Sequence, residues 1–255
     1  MTLGVVEKDL RVKLRDMPTA LVLGASGTLG GAIAAELLQR GFRVGLHYNT
    51  RREPCDALLQ NAADSAAFQA DLSDPLQPAA LASAFLTQFE RLDALVWACG
   101  ISRDAPLLTQ AEVDVRAVLN VDLKAFFLVL KAFSRQFIKQ KSGMVLALSS
   151  HAGLAGRAGG TAYAMAQGGL LALVKSAARE WGGLGVRVNA VVPPFVAASG
   201  MGATASPEFA AAVKLKRVLR AEIDGAKALA SFAVSVLQNP AISGQVLQCD
   251  ARIVY

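Results

Sequence analysis

The sequence predicts an α/β protein with a doubly wound, parallel, seven-stranded sheet and helices on both faces. Two observations lead to this fold class. Short apolar runs alternate with helix-like stretches along the chain. The runs are apolar nearly throughout rather than at every second position, which is typical of strands covered on both faces. Alternation of this kind builds a parallel sheet through right-handed crossovers.

Seven apolar runs predict the strands, and they lie at 19–25, 43–49, 66–72, 94–100, 143–150, 187–193 and 244–250. The predicted helices lie between them, at 28–40, 75–91, 108–140, 161–181 and 224–238. Gly or Pro stands at most junctions, as expected where strands and helices end. Because no linker or repeat interrupts this order, we expect a single domain over 18–255, preceded by an N-terminal arm over 1–17.

Composition narrows the possible classes of function. Of the 255 residues, 53% are hydrophobic and 18% are charged, which argues against disorder. No apolar run reaches the roughly 18 residues of a membrane helix. The net charge of +6 allows attraction to anionic partners, but no aromatic–basic motif supports nucleic-acid binding. Three scattered cysteines and the lack of a Cys/His cluster predict a cytoplasmic protein without disulfides or a metal site.

A glycine-rich turn, GASGTLGG, follows the first predicted strand and opens the helix at 28–40. The N–H groups of such a turn, together with the positive end of the helix dipole, can hold a pyrophosphate. The spacing is informative because the turn lies between a strand and a helix. The sequence therefore predicts a Rossmann-type dinucleotide site. The predicted contacts in this turn are Gly24, Ser26, Gly27, Thr28, Leu29 and Gly30.

The end of the second predicted strand indicates which dinucleotide binds. A site for NAD places Asp or Glu against the adenosine ribose at this point. Here the sequence is HYNTRR, which has no carboxylate, and Asn49, Thr50 and Arg51 are predicted cofactor contacts. Arg52 follows them directly. Arginine can pair with the 2′-phosphate, so we expect NADP(H). The alternative is that both arginines are solvated surface residues.

Asp71 and Leu72 follow the third predicted strand, in the stretch ADLSDP. A carboxylate at this place can accept a hydrogen bond from the adenine amine of a dinucleotide. It can equally cap the helix that follows. Both alternatives stay open, and both residues are kept as predicted cofactor contacts.

Further stretches follow in the order and at the intervals of a known family. They are SS at 149–150, Tyr163, GVRVNAVVP at 185–193 and SGQVLQCD at 243–250. With the glycine turn, they make the chain resemble the short-chain dehydrogenase/reductase family from about residue 18 onward. The likeness is greatest to 3-oxoacyl-(acyl-carrier-protein) reductases. It implies an NADPH-dependent ketoreductase of 3-oxoacyl thioesters, carrier- or CoA-bound, in fatty-acid or polyketide-type biosynthesis.

The resemblance also implies which residues do the chemistry. A Tyr is the family's general acid or base, a Ser holds the substrate oxygen, a Lys tunes the Tyr and an Asn supports a water relay. Carried over by position, the Tyr is Tyr163 and the Ser is Ser150, whereas the Lys and Asn positions hold Gln167 and Asp122. The further cofactor contacts implied in this way are Cys99, Gly100, Tyr163, Gln167 and Pro193.

The two substitutions remove charge from the place where the family uses it. Gln167 gives a phenolate no charge stabilisation, and an ionised Asp122 would disfavour it. A reductase tolerates this loss better than an alcohol dehydrogenase does, because its Tyr163 must start protonated. Pro194 stands where the family has Gly and removes a backbone donor. Arg157, in the loop before Tyr163, could supply a replacement charge.

Two functions therefore stay open at the level of sequence. The first is the ketoreductase. The second is a catalytically impaired or inactive family member that acts as a structural or regulatory subunit. Because the family assembles through its long helices, we expect a homodimer or homotetramer, or a hetero-oligomer with an active homologue. The segment at 195–209 falls where the family has its mobile substrate lid.

Overall fold

One parallel sheet of seven strands organises the molecule. The computed structural model describes residues 17–197, 200–203, 205–219 and 223–252. The strands are β1 (Thr19–Leu23), β2 (Arg43–Tyr48), β3 (Ala66–Gln69), β4 (Ala94–Trp97), β5 (Gly143–Leu148), β6 (Val186–Val192) and β7 (Val246–Gln248). Their order across the sheet is β3-β2-β1-β4-β5-β6-β7, and each neighbouring pair is parallel. The predicted fold class is confirmed.

Helices connect the strands. They are α1 (Thr28–Gln39), α2 (Glu53–Leu59), α3 (Gln77–Phe89), α4 (Glu112–Leu119), α5 (Ala125–Gln140), α6 (His151–Ala155), α7 (Thr161–Trp181), α8 (Pro207–Leu215) and α9 (Gly225–Gln238). The sequence did not predict α2, α6 or α8, because each is too short for a helical period of apolar residues to stand out. No helix in the described part of the chain is long and apolar enough to cross a membrane.

The prediction of one continuous helix over 108–140 is wrong. A 3₁₀ turn at Leu107–Thr109 comes first, and a π-helical segment at Asn120–Lys124 then separates α4 from α5. One extra residue per turn in the π-helical segment changes which side chains face inward. Asp122 lies in this segment and is buried, with an exposed fraction of 0%.

Each face of the sheet carries its own layer of helices. On one face Leu21 and Leu95 pack with Phe85 of α3, Phe133 of α5 and Val174 of α7. Leu21 and Leu95 face this layer, and their neighbours in β1 and β4 face the opposite side of the sheet.

On the opposite face, Val22 and Val96 pack with Ile33 and Leu37 of α1 and with Leu229 of α9. Full burial of such a side chain stabilises the fold by about 1.5–3 kcal/mol. The uninterrupted apolar runs of the sequence thus follow from burial on both faces.

The chain adds β2 and β3 on one side of β1 and then β4 to β7 on the other side, so the strand order reverses between β1 and β4. Leu23 at the end of β1 lies beside Trp97 at the end of β4, and Trp97 lies beside Ala147 of β5. In open α/β sheets a crevice forms outside the carboxyl ends of the strands at such a reversal, and ligands bind there. The loops that follow β1, β4, β5 and β6 meet at this edge. The predicted arm, apart from Met17, lies outside the described residues.

Candidate active site

The glycine turn after β1 requires glycine at two of its positions. Gly24 has a φ of +82°, and a Cβ added there would lie 2.6 Å from the Ala98 carbonyl oxygen. A Cβ on Gly30 would lie 2.2 Å from the Gly24 carbonyl oxygen. The turn is therefore closely packed against the loop after β4 and against the first turn of α1. Any larger residue at either place would push the backbone apart.

The imidazole of His47, which the sequence did not single out, holds this turn in place. The Gly24 N–H donates to His47 Nδ1 at 3.0 Å, and His47 Nε2 lies 3.0 Å from the Ala70 carbonyl oxygen. The two contacts assign the proton to Nε2. Burial lowers the pKa of His47 to about 4, so the ring is neutral at physiological pH. A histidine next to the apolar residues of β2 was the signal available in the sequence.

Helix α1 begins at this turn with its N–H groups open to a ligand. Its N-cap is Gly27, and no side chain of the described residues caps the first turn. The first N–H groups of a helix have no partner within the helix, and the helix dipole makes this end attractive to anions. The residues from Gly27 to Gly30 line a large cavity at the carboxyl edge of the sheet. This end of α1 therefore fits a pyrophosphate.

Arg51 and Arg52, which follow β2, point in different directions. Arg51 lines the cavity, and its Nη2 lies 3.5 Å from the Ser26 carbonyl oxygen beside the glycine turn. Arg52 instead pairs with Asp56 one turn further along α2, at 3.0 Å. Of the two guanidinium groups, the one on Arg51 is thus placed to meet a phosphate near the glycine turn.

The carboxylate of Asp71 accepts a hydrogen bond from the Ser73 N–H at 2.9 Å. Helix α3 begins later, at Gln77, so the alternative in which Asp71 caps that helix is wrong. The contact with adenine stays a prediction.

A cavity of about 1120 Å³ lies at the carboxyl edge of the sheet. Many of the predicted site residues line it, and they are Gly27, Thr28, Leu29, Gly30, Arg51, Cys99, Gly100, Ser150, Tyr163, Gln167 and Pro193. The remaining predicted residues lie outside its wall, and they are Gly24, Ser26, Asn49, Thr50, Asp71, Leu72 and Asp122. The fold thus places a predicted phosphate cradle and a predicted catalytic pair around one space.

Ser150 and Tyr163 meet in the wall of this cavity. Ser150 follows β5 and caps the short helix α6, where its Oγ accepts from the Ala152 N–H at 3.2 Å. Tyr163 lies in the first turn of α7. Burial raises the pKa of Tyr163 to about 12, and a hydrogen bond with the Ser150 side chain opposes this rise. The phenol is therefore protonated at neutral pH and can donate a proton.

Gln167 lies one turn of α7 beyond Tyr163 and is 2% exposed. Its Nε2 donates to Asp122 Oδ2 at 3.1 Å, and its Oε1 has no hydrogen-bond partner among the described residues. An unpaired buried oxygen of this kind costs about 1–3 kcal/mol. Because Gln167 lines the cavity, a ligand hydroxyl would satisfy this oxygen, as the hydroxyls of a nicotinamide ribose would. The residues present thus fit a nicotinamide dinucleotide.

Asp122 lies behind Gln167 and Gly100 rather than in the cavity. Its Oδ1 accepts from the Ile101 N–H at 2.8 Å. A Cβ on Gly100 would lie 3.1 Å from Oδ2, so glycine leaves room for the carboxyl group. Burial raises the pKa of Asp122 to about 7, although the hydrogen bonds from Ile101 and Gln167 oppose this rise. The charge of this carboxyl group, which disfavours a phenolate on Tyr163, therefore changes near neutral pH.

The segment after β6 lines one side of the cavity. Phe195 and Phe209 meet edge to face with 5.6 Å between ring centroids. Both rings, together with Val196 and Met201, line the cavity. The predicted lid thus contributes apolar side chains to the wall, although 198–199 and 204 lie outside the described residues. Within the described chain, no group of three His, Cys, Asp or Glu residues could hold a metal ion.

The sequence of the chain is similar to those of known short chain dehydrogenases. A sequence model of short chain dehydrogenases matches residues 18–209. The 3-oxoacyl-[acyl-carrier-protein] reductase FabG of Staphylococcus aureus is 35% identical over 182 residues, 70% of this chain and 74% of that protein. The 3-oxoacyl-[acyl-carrier-protein] reductase of Synechocystis is 36% identical over the same shares. Nodulation protein G of Rhizobium meliloti is 35% identical over 178 residues, 69% of this chain and 72% of that protein.

Replacing Asp122 by Asn tests its buried carboxyl group. The pKa of Asp122 rises on folding, so its contribution to stability is fully present below about pH 4 and is lost as the pH rises through about 7. The loss is at most about 4 kcal/mol. We expect Asp122→Asn to unfold at higher urea concentration than the parent at pH 8 and to lose the pH dependence between 4 and 7. Exposed Asp64→Asn is the control, and an unchanged pH dependence in Asp122→Asn would contradict the assignment.

Proposed function

The chain belongs to the short-chain dehydrogenase family, and we propose that it is an NADPH-dependent ketoreductase of 3-oxoacyl thioesters. The observation that carries the proposal is the contact of Ser150 with Tyr163 in the wall of the cavity that also contains the glycine turn. The relatives named 3-oxoacyl-[acyl-carrier-protein] reductase support the substrate class, with the acyl group bound to a carrier protein or to CoA.

Tyr163 is the proton donor in this proposal. A bound nicotinamide supplies the hydride that the carbonyl carbon accepts. The Ser150 hydroxyl hydrogen-bonds to the carbonyl oxygen, and Tyr163 Oη transfers its proton to that oxygen as negative charge develops there. A phenol with a pKa of about 12 holds this proton at neutral pH and is a poor base. The resting site is therefore in the protonation state from which reduction of a carbonyl begins.

Three groups of this chain are proposed to hold the cofactor. The free N–H groups at the start of α1 bind the pyrophosphate. The unpaired Oε1 of Gln167 accepts from a ribose hydroxyl beside the nicotinamide. The guanidinium group of Arg51 pairs with the 2′-phosphate, which supports NADP(H) over NAD.

Apolar surface outside the cavity supports self-association. Val113 of α4, Phe127 and Ile138 of α5 and Met165 of α7 are each at least 45% exposed. Apolar side chains of this size, grouped on neighbouring helices, are typical of surfaces that associate. We propose a homodimer or homotetramer formed through these helices.

A second candidate function is a catalytically impaired subunit, alone or with an active homologue. The observation that favours it is Gln167, which replaces the positively charged residue of the family with a neutral amide hydrogen-bonded to Asp122. Such a protein would keep the nucleotide site and lose turnover.

Removing the phenol tests the reductase proposal. We expect the parent to oxidise NADPH with a 3-oxoacyl thioester, such as acetoacetyl-CoA, and Tyr163→Phe to lose about 10²–10⁴-fold in kcat because the proton donor is gone. NADPH affinity, measured by calorimetry, should persist in the variant. A parent that binds NADPH without turnover of any 3-oxoacyl thioester would contradict the reductase and favour the impaired subunit.

The two arginines after β2 offer a matched test of cofactor choice. Arg51→Ala should weaken NADPH binding about tenfold or more while leaving NADH binding unchanged, since a charge-assisted pair with the 2′-phosphate is lost. Arg52→Ala should change neither affinity, because Arg52 pairs with Asp56. Calorimetric titration of both variants with both dinucleotides measures this. Equal effects of the two substitutions would rule out a specific role for Arg51.

A further inference from the structure

Arg157 lies between α6 and α7. Its guanidinium group is close to cavity-lining residues of α7, of α8 and of the loop after β4. The guanidinium carbon lies 5.6 Å from the centroid of the Tyr163 ring and 6.0 Å from that of Phe209 on α8. From the loop after β4, the Ser102 hydroxyl accepts from Arg157 Nη2 at 3.2 Å, and Asp104 forms an ion pair with it. The side chain is 28% exposed.

A glycine in the loop between α6 and α7 leaves room for the Arg157 guanidinium group. The Gly160 N–H donates to the Arg157 carbonyl oxygen at 3.0 Å and closes a tight turn. A Cβ on Gly160 would lie 2.4 Å from Arg157 Nε, so another residue there would displace the guanidinium group. Arg157 Nε is buried and has no hydrogen-bond partner among the described residues. The Arg157 guanidinium group thus lies over the Tyr163 ring with one of its donors unpaired among the described residues.

We propose that Arg157 is a positioning residue that gives Tyr163 the positive charge which Gln167 does not supply. The proposal rests on the role of Tyr163 as proton donor. A guanidinium group stays charged at every pH at which the protein is folded. A cation held over an aromatic ring is attracted to it, and a nearby positive charge stabilises the phenolate that forms when the proton leaves. The proton donor thus becomes more acidic than burial alone would make it.

Three charged groups act on the phenol from different elements. Arg157 lowers the pKa of Tyr163, whereas Asp122 of the π-helical segment and Asp104 of the loop after β4 raise it. Because Asp104 also pairs with Arg157, it reduces the positive charge that Tyr163 experiences. Burial and the hydrogen bond with Ser150 affect the acidity of the proton donor most, and the ion pair between Asp104 and Arg157 adjusts it further.

Helix α8 makes the effect of Arg157 stronger. Phe209 packs against the guanidinium group, and Phe195 packs edge to face on Phe209. These rings keep water from one side of the cation. Charges separated from water interact more strongly, so Arg157 acts on Tyr163 with less screening than a surface arginine would.

The acidity of Tyr163 can be measured without substrate or cofactor. The sequence has three tyrosines, Tyr48, Tyr163 and Tyr255, so Tyr48→Phe with Tyr255→Phe leaves Tyr163 as the one that titrates. Incorporating 3-fluorotyrosine and following its ¹⁹F resonance against pH gives the pKa of its phenol. In this background we expect Arg157→Met to raise the pKa of Tyr163 and Asp104→Asn to lower it. Arg157→Lys should restore part of the effect of Arg157.

Arg103→Met is the matched control, because Arg103 lies in the same loop as Asp104 and pairs weakly with Asp114 at 3.9 Å. It should leave the pKa of Tyr163 unchanged. With a 3-oxoacyl thioester, kcat should fall about tenfold in Arg157→Met and rise in Asp104→Asn. The proposal is overturned if the Arg157→Met and Asp104→Asn shifts have the same sign, or if neither differs from the control. Opposite shifts without any turnover would retain the charge assignment and reject the proposed reductase.

Discussion

The hydrogen bond from Gln167 Nε2 to Asp122 Oδ2 is the interaction on which the site depends. It joins helix α7 to the π-helical segment in a region where both side chains are almost completely buried. A neutral amide balances the carboxyl group only in part, so burial still holds the pKa of Asp122 at about 7. The same bond leaves the second polar atom of Gln167, Oε1, without a hydrogen-bond partner among the described residues. One neutral pair thus determines both the charge near Tyr163 and a proposed cofactor contact.

Because position 167 holds no cation, the protonation of Tyr163 depends on the other groups around it. Tyr163 keeps its proton because it is buried and because no ammonium group stabilises its phenolate from that side. The hydroxyl of Ser150 and the guanidinium group of Arg157 act in the opposite direction. Proton donation remains possible, whereas use of Tyr163 as a base is disfavoured. The protonation state of Tyr163 in the resting site therefore follows from a balance of burial and a few charges.

The sequence was sufficient for the sheet but not for every helix. Burial on both faces leaves continuous apolar runs, and these placed all seven strands to within a few residues. Short helices such as α2 and α6 have too few turns for an apolar period. The π-helical segment at Asn120–Lys124 was missed because no Gly or Pro marks it, and a π-helical turn continues the helices on either side of it.

For the candidate site, the sequence predicted the residues that backbone order alone brings together. The glycine turn, Ser150 and Tyr163 follow strands that end at one edge of the sheet, so their proximity was predictable. Side-chain direction was not, because it depends on packing between distant segments. The sequence could not separate Arg51 from Arg52 for this reason. It also could not show that the Arg157 guanidinium group faces Tyr163.

The rate of the Gln167→Lys variant tests most directly whether Tyr163 donates a proton without a cation at position 167. An ammonium group between Asp122 and Tyr163 would stabilise the phenolate, so we expect kcat with a 3-oxoacyl thioester to rise about tenfold or more. Gln167→Met, which has similar length and no charge, should give no increase. If Gln167→Lys binds NADPH as the parent does but its kcat stays the same or falls, proton donation by Tyr163 is not what limits this site.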